Sequence, residues 1–241
     1  MKKEIKVILI TVLILITSQS GYSQLIISTP DEKIKQQFFI TLGLEPEIIT
    51  SVGYMHNVGS SGKTVDWNLG ASIKFAPLLI TKGAWRANLT TASDWKTSEK
   101  WGVRTAWSFY LAHDNNRAAV MNGLGFEWRS ACIKNGKKWN KGIDASWQYT
   151  AFTHIKNSDA TKDTYNDRYP SNTGTYNGPK DGWYAGTASR FRLGFISSVK
   201  IKEHLHLQLG AGSLFNIQKQ RILLGFSHAQ VPVYLETSLV F

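Results

Sequence analysis

Charged residues recur along this chain on the polar phase of two-residue alternations. Lys74, Arg86, Arg104, Arg129, Arg190, Arg192 and Lys200 share that phase with Glu45, Glu47, Asp66, Asp94, Glu127, Asp144 and Glu236. Such an array has two chemical uses. It can draw small anions along a row of guanidinium groups, or it can pair with itself and fill the space it faces. Arg86, Arg104, Glu127, Arg129, Arg190 and Arg192 form the centre of both readings.

Other chemistry finds less support. A nucleophilic Ser needs a His within hydrogen-bond reach. On the apolar phase stand Ser93, Ser130, Ser189, Ser197 and Ser213, with His56 and His113. Pairing the segments about their turns puts His113 opposite position 82, far from Ser93, and brings no other Ser to a His. His113, Asp114, His154, Asp181 and His228 gather near one end, but their spacing matches no acid–histidine couple. His204 and His206 share a face without a third metal ligand. Cys132 falls on the apolar phase at a strand end and reads as a small hydrophobe. The expectation is therefore no catalytic residue, no metal and no cofactor. Segment 157–181 is long, polar and rich in Asn and Gly, and its Tyr165, Tyr169 and Tyr176 suit adaptable surface contacts, glycans included.

The elements that position these residues have period two. In VDWNLGASIKF, Val65, Trp67, Leu69, Ala71, Ile73 and Phe75 oppose Asp66, Asn68, Gly70, Ser72 and Lys74. The same alternation runs through ten segments, near 37–44, 48–58, 64–76, 83–95, 100–113, 117–132, 141–155, 182–201, 203–216 and 229–241. Most are about twice the usual strand length of about 5–6 residues, and membrane strands need about 9–11. A sandwich core would have to bury the charged phase, at high cost. Eight of the nine Trp (all but Trp139) lie on the apolar phase, several near strand ends, as in an interfacial aromatic girdle. All three facts fit a sheet turned inside out, with the apolar face in lipid and the polar face in a lumen. Lipid leaves no unpaired edge tolerable, so the sheet must close.

The ends agree. Lys2, Lys3 and Lys6 precede the apolar run Val7 to Ile16, and Gly21 and Ser23 are small residues before Gln24. Residues 1–23 thus read as a cleaved signal peptide, and 24–36 as a flexible periplasmic lead-in. One Cys excludes an internal disulfide. The net charge of +11, or +9 once 1–23 are removed, suits anionic lipid, glycan or small solutes, and export argues against nucleic acid.

The last strand ends Val233, Leu235, Thr237, Leu239, Phe241, with apolar residues at alternate places and a terminal Phe. Here the chain resembles the outer-membrane β-barrel proteins of Gram-negative bacteria. The resemblance implies an all-β fold over 37–241, a closed antiparallel up-and-down transmembrane β-barrel of about ten strands. Eight or twelve also fit, because 37–58 reads equally as one strand kinked at Pro46. The resemblance further implies that Phe241, Leu239, Leu235 and Val233 form the signal read by the barrel assembly machinery, and that the chain is a monomer. Leu239 replaces the usual aromatic at its place. An even strand count puts both termini in the periplasm and the long segments 157–181 and 216–228 on the outer side.

Overall fold

The computed structural model describes residues 35–45, 47–62, 64–75, 84–115, 119–136, 138–168, 180–202, 205–217 and 233–241. The proposed signal peptide and most of the lead-in lie outside them, as do Tyr169, Tyr176, His204 and His228. Ten strands close on themselves, each antiparallel to the next: β1 (Gln36–Glu45), β2 (Glu47–Ser61), β3 (Val65–Phe75), β4 (Trp85–Lys96), β5 (Trp101–Asn115), β6 (Ala119–Lys134), β7 (Trp139–Asn157), β8 (Gly182–Lys202), β9 (Leu205–Ile217) and β10 (Val233–Val240). β1 meets β10 to complete the ring. Residues 36–61 form two antiparallel strands rather than one kinked strand, because Glu45 pairs with Glu47. Gln36, assigned to the lead-in by its sequence, already belongs to β1.

Alternation dictates which way each side chain points. Phe38, Ile40, Val52, Leu69, Ile73, Leu89, Leu111, Leu193 and Leu209 are exposed on the outside, and Phe195 is 73% exposed. Lys74, Asn88, Arg104, Ser146, Gln208 and Ser238 are buried inside. A soluble protein would reverse this arrangement. Trp139 lies just before the segment 141–155 read from the sequence; it opens β7 on the same phase as Ile143 and Trp147 and is exposed, beside Val199.

Trp85 and Trp95 stand ten residues apart at the two ends of β4. At roughly 3.3 Å per residue and about 40° of tilt, that separation is about 25 Å along the barrel axis, the height of an apolar membrane band.

Besides a register shift at Ile201 near the end of β8, three features depart from plain alternation. Val58 is a bulge between the paired positions Asn57 and Gly59 of β2. Ala151 is another, since β6 skips it between Leu124–Phe152 and Gly125–Thr150. This second bulge reverses the phase of β7. Asp144, Ser146 and Thr150 point inward before it, and Thr153, Ile155 and Asn157 are buried after it. Gly186, near this bulge on β8, has φ +62, and a Cβ there would meet the Tyr149 hydroxyl at 3.0 Å, so the position favours glycine.

The third is α1 (Asp159–Arg168), a helix inside the segment read as irregular. The Ser158 hydroxyl accepts from the Thr161 amide at 3.2 Å and caps it. Tyr165 lies on this helix.

Candidate functional site

The interior is the first candidate, and all six predicted residues lie on its inner face. Arg86, Arg104, Arg129, Arg190 and Arg192 are all buried on the inner face, with Glu127 nearly so. Two clusters form. In the first, Arg86 donates to Glu127 at 2.9 Å and Lys74 stands 4.0 Å from the same carboxylate. Arg86 lies over the Tyr110 ring at 3.6 Å, and the Tyr110 and Thr150 hydroxyls share a 2.7 Å bond. In the second, Arg129 donates to Asp144 at 2.7 Å and to Glu236 at 3.1 Å. Arg192 reaches Glu236 at 3.5 Å and lies over the Tyr234 ring at 3.7 Å. The Tyr234 hydroxyl donates to Asp144 at 3.0 Å. Nearer the terminal end, Arg104 pairs with Asp94, which also accepts from Asn68 at 2.9 Å.

Glycines make room for the two rings. A Cβ on Gly194 would fall 2.0 Å from the Tyr234 hydroxyl, and one on Gly125 2.6 Å from that of Tyr110. The result is a packed interior. Tyr110 and Asp144 are each 1% exposed and Glu236 2%. Beside the Arg104–Asp94 pair lies a cavity of about 20 Å³, room for about one water. Lys200, expected with these residues, is exposed at the far end of β8 instead. Tyr110 and Tyr234 are the members that the charge pattern alone does not name. Their signal was an aromatic residue on an otherwise polar phase.

The terminal strand keeps its expected phase. Leu235 and Phe241 are exposed outside, and Phe241 exchanges two backbone hydrogen bonds with Phe38 of β1 at 2.8 and 3.1 Å. Val233 opens β10.

Three of the candidate serines are bonded to groups other than a His. Ser93 accepts from the Trp95 indole at 2.9 Å, Ser189 from Trp147 at 2.9 Å, and Ser130 shares a bond with Thr105 at 3.2 Å. His113 faces Trp85 in the ladder rather than position 82. Asp114 is buried inside, so its neighbour His113 points to the opposite face. Asp181 accepts from the Asn157 amide at 2.8 Å and from Lys162 at 2.9 Å. These donors hold its carboxyl down to about 2, the Asn157 amide contributing most. Among the described residues no group of three or more His, Cys, Asp or Glu is placed to hold a metal.

A closed antiparallel ten-strand barrel with an apolar exterior and a charged interior defines the class: a β-barrel of the outer-membrane type. Among solved structures, the chain is similar to the beta domain of the Bordetella autotransporter Brka, at 12% identity and a TM-score of 0.38, over 86% of this chain and 97% of that one. No protein-family model and no curated protein matches the sequence.

Proposed function

We propose that the chain is an integral outer-membrane protein with a filled lumen, exported by its N-terminal signal, inserted through its terminal Phe strand, and working at the cell surface through segment 157–181. The observation that carries this reading is the ion-pair network across the interior. Among the described residues six cations are buried, and they face four buried acids and the nearly buried Glu127. A lumen so nearly neutral is a poor attractor for anions. Arg129 and Arg86 spend their charge on named carboxylates rather than on a passing solute. Opening a path past them would strand buried charges, at several kcal/mol each.

The surface role is supported by α1, which is held to the rim by the Lys162–Asp181 pair. Its Tyr165, with Tyr169 and Tyr176 further along the segment, would contact glycan or protein. The barrel is proposed to work as a monomer.

The alternative is a narrow channel for small anionic solutes, and the test separates the two. Residues 24–241 are refolded in detergent, checked for β-sheet by circular dichroism, and placed in a planar bilayer. The expected record has no discrete conductance steps. Steady steps that vanish in the Arg190→Gln/Arg192→Gln variant would make the lumen a pore and overturn the filled-barrel reading.

A further inference from the structure

A second group of polar side chains lies on the outside of the barrel, at the end opposite the termini. In the ladder, Trp85 pairs with His113, His113 with Asn122, Asn122 with His154, and His154 with Trp183. These five residues form one unbroken row over β4 to β8. Trp85 stacks on His113 with ring centroids 6.0 Å apart, and Trp183 packs on His154 at 5.1 Å. Between the imidazoles, the Asn122 side-chain oxygen accepts from His113 Nδ1 at 2.7 Å. That bond leaves His113 Nε2 and the Asn122 amide nitrogen for a ligand.

The row includes His154 only because of the Ala151 bulge. Unbroken alternation would have put His154 inside; the reversed phase puts it outside.

Its height matters. His113 pairs with Trp85, which stands about 25 Å along the barrel axis from Trp95 at ordinary rise and tilt, the height of an apolar band. The row therefore stands at the edge of that band, at interfacial depth. An aromatic girdle needs only the Trp residues; it does not account for two imidazoles and an amide between them. Two strand spacings separate the imidazoles, about 10 Å, so both can turn toward one group seated over Asn122.

One cation stands beside the row. Lys156 is exposed one outward position above His154. Asp181, at the foot of β8, is committed to Asn157 and Lys162. Trp85 and Trp183 flank the row without charge, and Asp114 lies behind the sheet on the inner face.

We propose that His113, Asn122 and His154 bind the anionic phosphate headgroup of a lipid at the outer rim, with Trp85 and Trp183 packing on its acyl–headgroup boundary. The proposal rests on the membrane reading above. Imidazolium forms bind a phosphate more strongly than neutral rings, so retention is expected to be higher at low pH than at high pH.

The test is native mass spectrometry of refolded 24–241, released from micelles containing phosphatidylglycerol or phosphatidylcholine, at pH 5.5 and 8. Circular dichroism of the same samples reports separately on the barrel, so loss of the fold is not mistaken for loss of the site. Wild type should retain phosphatidylglycerol over phosphatidylcholine, more so at pH 5.5. His113→Gln/His154→Gln should lower retention about fivefold, two charged contacts at an exposed site, and flatten the pH dependence. His56→Gln, an outward His near the opposite end, should leave retention unchanged. Should the Gln pair weaken the fold, the His113→Asn and His154→Asn single variants replace it. Equal retention in wild type and variants overturns the proposal. Displacement by millimolar inorganic phosphate overturns the assignment to a lipid.

Discussion

The wall formed by β5 to β8 and the seam between β1 and β10 are built differently. The wall strands run 15, 16, 19 and 21 residues, and β5 pairs with β6 from Trp101–Lys134 through Asn115–Val120. The seam strands have 10 and 8 residues, and their ladder runs only from Phe39–Val240 to Leu44–Leu235. The wall can be held by its backbone ladder. The seam has less ladder and more side-chain assistance. Thr41 and Ser238 share a buried 2.8 Å bond across it. Glu236, on the seam strand, reaches across the lumen to Arg129 of β6 and Arg192 of β8. A barrel closed by a short strand is thus tied from the inside to its strongest wall.

That contrast can be broken at its tie. Glu236→Ala leaves Arg129 and Arg192 short of a buried partner and should cost about 3–5 kcal/mol, read as a lower denaturant midpoint for unfolding in detergent. The mirror-image change in the wall, Thr105→Ala, should cost far less, because its 3.2 Å bond to Ser130 only supplements a long ladder. Equal losses in the two variants would mean that the seam does not depend on its side chains.

The next test sharpens the contrast by overfilling the interior. Gly194→Ala would put a methyl 2.0 Å from the Tyr234 hydroxyl and 2.6 Å from the Ala211 carbonyl oxygen. It should cost about 1–3 kcal/mol, and Gly194→Ala/Tyr234→Phe should recover part of it by removing the clashing hydroxyl. No recovery would mean that backbone contact dominates.

The smallest effect is local to the top of the wall. Asp181 is lowered to about 2, from an ordinary value of 3.8. A depressed carboxyl favours the folded arrangement above the ordinary value and ceases to do so as pH falls through the lowered one. Anchoring of α1 should therefore hold at pH 4 and above and weaken as pH approaches 2, while the barrel persists. Hydrogen exchange at the Asn157 amide reads this directly, and Asp181→Asn should bring the same loosening at neutral pH.

Much of this was legible in advance because a strand's side-chain period is two and admits no ambiguity over eleven residues such as Val65–Phe75. Phase and the charged interior follow from that, whereas the strand number stays open at eight, ten or twelve without the Glu45–Glu47 pairing, which makes 36–61 two strands. The bulges at Val58 and Ala151 were not legible, because one inserted residue leaves each flanking alternation intact and only shifts one against the other. For that reason the apolar-phase histidines read from the sequence, His56 and His113, do not include His154. The helix was hidden for another reason. DATKDTYNDR has no apolar stripe, and what orders it is the Ser158 cap and the distant Asp181. Whether the lumen charges pair or stand open also lies beyond alternation, since it depends on which strands face one another across the ring.

The link from β6 to β10 runs between strands four places apart in a ring of ten, so it acts as a strut across a tube. A hollow wall one sheet thick flattens readily under uneven lateral pressure; a strutted one keeps its round cross-section. The long hairpin of β7 and β8 and the helix above it thereby stand on a stiff pedestal. Under the surface role proposed above, a partner of segment 157–181 would meet a shape already set, and little of the encounter would go into bringing it to order.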